Sequence, residues 1–144
     1  MLLFFILIFA LIFCVGVLIY ILRNYRQGNS THPSMVELKS LAAKINPEYK
    51  NLDLRAANIA TTLNKKKILL CVDDPETGRP YSQNTLMGVL IHELAHFESE
   101  SYGIDPDDHN DEWHKNYNDL INRAIKAGVY DPKFPPPNNY CRVV

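Results

Sequence analysis

The chain has 144 residues, of which 47% are hydrophobic, 22% charged and 10% aromatic, and its formal net charge is −1. That length bounds it to one domain, the composition excludes wholesale disorder and a collagen-like structure, and the charge excludes a uniformly basic nucleic-acid binder. Three cysteines, with Cys14 inside an apolar run, are too few for a disulfide framework, so cysteine usage alone does not fix the compartment.

Residues 1–22, MLLFFILIFALIFCVGVLIYIL, contain no charged side chain. A helix rising about 1.5 Å per residue crosses a roughly 30 Å hydrocarbon core with about 20 apolar residues, so this run is read as a transmembrane anchor. A cleavable signal peptide would need a basic n-region, a shorter apolar stretch and a small-residue cleavage site, and the sequence has none of these. Arg23 and Arg26 follow the run and nothing basic precedes it. The positive-inside rule then places the remainder on the cytoplasmic side, with Tyr20 and Tyr25 as interface anchors. In that compartment Cys71 and Cys141 are expected as free thiols.

Residues 23–33, ending in the turn-rich QGNSTHP, read as a linker, with His32 a linker histidine that ligates nothing, and residues 34–144 as one domain. Ser34 and Glu37 form an S-x-x-E capping box before a helix over 35–45, whose apolar positions are Met35, Leu38, Leu41, Ala42 and Ile45. Asn46-Pro47 stops that helix. Leu52, Leu54 and Ala56 alternate with polar residues as in a strand. A weaker run spans Ile59 to Leu63, Asn64-Lys65 makes a turn, and KILLCV over 67–72 reads as a buried or edge strand. After the loop 73–80 comes a long helix over 82–101, ended by Gly103 and Pro106. A last helix carries Trp113, Tyr117, Leu120, Ile121, Ala124 and Ile125 on one face and closes at Gly128. The tail PPPNNYCRVV is irregular, and the fold class is α+β, with a first helix, short antiparallel strands, the long helix and a C-terminal helix.

Charge divides along the chain, net +6 over residues 23–72 and net −7 over 73–144. Lys65-Lys66-Lys67 lacks the interleaved aromatics of a nucleic-acid site and reads as a solvated hairpin turn.

The chemistry lies in His92-Glu93-Leu94-Ala95-His96, an H-E-x-x-H pattern. On a helix the two histidines stand about 40° apart and one turn apart along the axis, so both imidazoles reach one metal ion. Glu93 beside them is suited to a water at that ion rather than to the ion itself. The helix is apolar nearly all round, through Leu86, Met87, Val89, Leu90, Ile91, Leu94 and Phe97. Buried polar groups on it need a compensating partner, and Zn²⁺ supplies one. A catalytic zinc takes a third protein ligand and keeps an open position. The extended H-E-x-x-H-x-x-G-x-x-H spacing fails at Ser99 and Tyr102, which leaves His109, His114 and the acids between Glu98 and Glu112 as candidates.

The segments GVLIHELAHFESESYG and DDHNDEWHKNY resemble the WLM/SprT-like zinc metallopeptidases, over roughly residues 60–130. That family places its third histidine in a short segment opening the helix after H-E-x-x-H. The resemblance implies His109 as that ligand and Trp113 as the packed aromatic. The sequence departs from the family at Asn110-Asp111, where Gly-Pro is common. The run from NKKKILLCV to YC is similar to small membrane-anchored relatives of this type encoded by large DNA viruses.

The expected function is zinc-dependent hydrolysis of peptide bonds in a polypeptide substrate, with His92, His96 and His109 as metal ligands and Glu93 as general base. His114, Tyr117 and Tyr140 are candidates for stabilising the oxyanion or contacting substrate, and strand 67–72 for binding the substrate backbone by strand addition. The alternatives are a membrane-anchored binding module with structural zinc, closed by a fourth ligand such as Cys141, and a membrane structural protein in which the pattern is accidental.

Overall fold

The computed structural model describes residues 8–19, 28–103 and 109–142. Residues 8–19 are helical with exposed apolar side chains, Phe9 at 73% and Phe13 at 72%. Among the described residues no helix is long and apolar enough to cross a membrane. The expected span also takes in residues 1–7 and 20–22, which lie outside the described residues, as do Arg23, Tyr25 and Arg26.

Helix α1, Pro33–Ile45, starts with proline at its first position, where the ring's fixed φ suits a helix and the missing N–H costs nothing. Its cap is His32, whose Nδ1 accepts the Ser34 N–H at 3.3 Å. The expected Ser34–Glu37 box is therefore absent, because the helix begins before Ser34. Glu37 instead accepts a hydrogen bond from Gln83 Nε2 at 2.5 Å. Asn46 ends α1 and caps a short 3₁₀ turn, Pro47–Asn51, by accepting from the Glu48 N–H at 3.1 Å.

Three strands follow, β1 Asp53–Ala57, β2 Thr61–Leu63 and β3 Lys67–Cys71, in the order β1-β3-β2. β2 runs antiparallel to β3, with Thr62 opposite Ile68, but β1 runs parallel to it, with Leu54 opposite Ile68. The sheet is therefore mixed and the expected all-antiparallel strands are corrected: β2 lies between β1 and β3 in the chain and reverses its direction. Leu63 pairs with Lys67, so the hairpin loop has three residues, in which Asn64 and Lys65 both sit at φ 50° and the Lys66 N–H donates to the Leu63 carbonyl at 3.0 Å. β3 is thus the buried central strand, as an unbroken apolar run suits. Both its edges are paired, which overturns the expected strand addition along 67–72. The edge strand on that side is β2, where the Thr62 carbonyl already accepts from the Tyr102 hydroxyl.

Helix α2, Gln83–Glu98, opens on Ser82, whose Oγ accepts the Thr85 N–H at 3.1 Å. It ends three residues before the expected 101, because Ser99 turns its hydroxyl back onto the Ala95 carbonyl at 2.7 Å. Helix α3, Asp111–Lys126, is capped by Asn110 and closes where Gly128 takes φ 70° and the Val129 N–H reaches the Ala124 carbonyl at 3.0 Å. Ile125, expected on the buried face of α3, is 41% exposed, whereas Leu120 and Ala124 are fully buried.

The core joins Met35, Leu38 and Ala42 of α1 to Leu54, Ile68 and Leu70 of the sheet, Leu90, Ile91 and Leu94 of α2, and Leu120 of α3. It makes one α+β unit in which α2 is buried nearly all round. Residues 131–142 carry no helix or strand but are tied back to it. Cys71 and Cys141 form a disulfide across Cα atoms 5.7 Å apart, an ordinary bridging distance. The expected free thiols are thus corrected, and Cys141 is not available to close a metal site.

Candidate metal centre

Three histidines meet beside α2, with His92 half-buried, His96 buried and His109 exposed. His92 and His96 come from adjacent turns of that helix, and His109 from the residue before the cap of α3. One ligand nitrogen from each lies within 4.8 Å of the other two. The Nε2 atoms of His92 and His109 are 3.3 Å apart, and all three ring pairs have centroids 4.9–5.1 Å apart. Among the described residues this is the group able to hold a metal ion, and no carboxylate joins it. Asp105, Asp107 and Asp108 lie outside the described residues.

Two of the other acids considered as third ligand, Glu98 and Glu112, have different partners. Glu98 accepts from the Tyr49 hydroxyl and lies 3.5 Å from Arg123. Glu112 accepts from the backbone N–H groups of Glu100 and Ser101 at 2.8 and 3.1 Å, and from the Ser101 hydroxyl at 2.6 Å. These bonds, the Ser101 side chain's first, hold its carboxyl below the usual range. Asn110 adds a bond to Ser101 at 2.9 Å, and Asn116 one to Ser99 at 3.2 Å. This network fastens the start of α3 to the end of α2 and so sets where His109 stands. Trp113 packs edge-on against His109 at 4.4 Å and against His92 at 4.9 Å, and Tyr117 stacks on its far face at 4.8 Å. The packed-aromatic position expected of Trp113 is therefore filled.

Glu93 is 6% exposed. Its carboxylate accepts from the Thr62 hydroxyl at 2.8 Å, and that hydroxyl also lies 3.0 Å from the Glu93 carbonyl. Burial pushes the Glu93 carboxyl up to about 7, with the Thr62 bonds acting the other way. Burial also holds His92 down at about 4, assisted by the neighbouring His96 and His109. A neutral imidazole is the form that ligates metal. Thr62 and Tyr102, the latter's ring 5.5 Å from His96, were not marked by any pattern in the sequence.

A cavity of about 360 Å³ opens beside His92 and Glu93. Tyr117 and Tyr140 line it, whereas His114 is exposed, packs on Trp113 and does not reach it. The Tyr140 hydroxyl donates to the Cys71 carbonyl at 2.5 Å. Two other cavities, of about 370 and 460 Å³, are lined by no histidine, and chemistry rather than volume singles out the one that His92 and Glu93 line.

No family model matches the chain, and no solved structure matches it. It is 40% identical over 93 residues to uncharacterized protein 042R of Invertebrate iridescent virus 3, across 65% of this chain and 55% of that protein. It is 34% identical over 82 residues to uncharacterized protein 136R of Invertebrate iridescent virus 6, across 56% of this chain and 43% of that protein. The chain spans about half the length of the curated relatives it matches, and it is a distant homologue of these iridovirus proteins.

Proposed function

We propose that the chain is a zinc-dependent peptide hydrolase of the WLM/SprT-like type, with His92, His96 and His109 as its metal ligands. The observation that carries this reading is the convergence of three imidazoles beside a buried carboxylate at the mouth of an apolar cavity. Zinc–nitrogen bonds of about 2.0–2.1 Å in a tetrahedral site separate ligand nitrogens by about 3.3 Å. The Nε2 atoms of His92 and His109 stand at that separation. Cys141, the fourth ligand considered for a closed structural site, is committed to Cys71, which favours a site with an open position.

His92, His96 and His109 would hold the zinc ion, which would supply Lewis acidity to a water and to the scissile carbonyl. Glu93 takes the proton of the attacking water and delivers it to the leaving amine. Thr62 fixes the orientation of that carboxylate through its hydroxyl. Tyr117 serves the oxyanion, because its hydroxyl makes no hydrogen bond among the described residues, whereas that of Tyr140 is engaged by Cys71.

Equilibrium dialysis of the full chain in detergent against zinc tests the site. One equivalent per chain is expected, and less than about a tenth of an equivalent at saturating zinc rules it out. The reading also keeps residues 1–22 as a membrane anchor, supported by their lack of charge and by the exposed apolar helix over 8–19. The protein should resist alkaline extraction from membranes, and release into the supernatant would remove the anchor.

A further inference from the structure

We propose that the cavity beside Glu93 is a side-chain pocket for an apolar substrate residue, and that its outer wall is the C-terminal tail, held in place by the Cys71–Cys141 disulfide. This rests on the hydrolase reading and assigns that site its substrate preference. The lining is apolar and aromatic away from His92 and Glu93, with Ala60, Val89, Pro135, Pro136, Tyr117 and Tyr140 facing the space. Among these six there is no charged group to neutralise an incoming acid or base. Away from His92 and Glu93, which the hydrolase reading commits to the metal and the attacking water, a charged side chain would lose hydration without a partner, whereas an aliphatic or aromatic one would gain by leaving water.

The tail is fastened on both sides of its proline run. At one end Asn84 accepts the Asp131 N–H at 2.7 Å and donates to the carbonyls of Asp131 and Phe134 at 3.0 and 2.8 Å. At the other end the Tyr140 hydroxyl bonds the Cys71 carbonyl, the Cys141 N–H bonds the Tyr81 hydroxyl at 3.2 Å, and the disulfide joins Cys141 to β3. Between these points Pro136 lies directly on α2 at Gly88, one turn before His92. A Cβ at Gly88 would stand 2.7 Å from Pro136 Cγ, so only glycine admits the tail this close. The width of the pocket therefore depends on the attachment of the tail, and the disulfide is its covalent part.

The test is cleavage of a peptide library, varied on both sides of the scissile bond, by the zinc-loaded full chain. One position should prefer Leu, Met or Phe over Gly, Asp or Lys by about 10–100-fold in kcat/KM, the range a side-chain pocket provides. Ala60→Phe, which fills the space, should move that optimum to Gly and Ala. The double variant Cys71→Ser/Cys141→Ser, which frees the tail, should cut the discrimination to under about threefold. Zinc content reports whether each variant has folded, and either folded variant suffices for the comparison. Cleavage without preference at any position, a preference for charged residues, or an unchanged preference in the folded variants would overturn the pocket while leaving the hydrolase intact. Failure of the zinc-loaded wild type to cleave any peptide would overturn the hydrolase reading itself.

Discussion

His109→Ala is expected to weaken zinc binding by more than about 100-fold, while His114→Ala leaves it unchanged. The bound follows from the cost of losing only an outer-shell partner of a metal ligand, about 10–100-fold, since removing the ligand itself removes more. The asymmetry follows from geometry. His109 brings its Nε2 to 3.3 Å from that of His92, whereas His114 lies outside the group and packs on the side of Trp113. Helix α3 begins after His109, so neither change removes a residue from the buried face of a helix. Zinc affinity by competition with a chromogenic chelator checks it, and the reverse order would move the third ligand to His114.

Much of the site was legible because a helix repeats. His92 and His96 four apart on an apolar helix declare a shared face, and the closing of α3 at Gly128 follows from a left-handed position that glycine fills. The third histidine was not fixed by spacing, since His109 and His114 are both within reach of a twelve-residue loop. The resemblance to a known family and then the geometry separated them. Thr62 stayed hidden because β2 has only three residues, too few for an alternating pattern to stand out, and its contact with Glu93 spans 31 positions. The Cys71–Cys141 pairing was the one the sequence allowed, since Cys14 lies in the apolar run. It was set aside only because the arginines after that run placed the domain in a reducing compartment, a placement that the bridge speaks against. The Ser34–Glu37 box was a sound local signal that lost to Pro33, which starts the helix earlier and frees Glu37 to bond Gln83 on α2.

Glu93→Gln is expected to lower peptide hydrolysis by roughly two to four orders of magnitude, the usual contribution of general acid–base catalysis. Glutamine keeps the length and volume of the side chain, is a good helix former, and can still pair with Thr62, so the fold and α2 should persist. The three imidazoles are untouched, so zinc content should equal that of the wild type. What is lost is a carboxylate able to take a proton and return it, which makes the effect one on kcat rather than on zinc affinity. A structural zinc site predicts metal in both proteins and cleavage in neither, and an accidental pattern predicts neither metal nor cleavage. The direct measurement is the initial rate of cleavage of an unstructured protein by wild type and Glu93→Gln, each carrying one equivalent of zinc. The account predicts a wild-type rate at least about 100-fold higher, and equal rates at equal zinc content would contradict it.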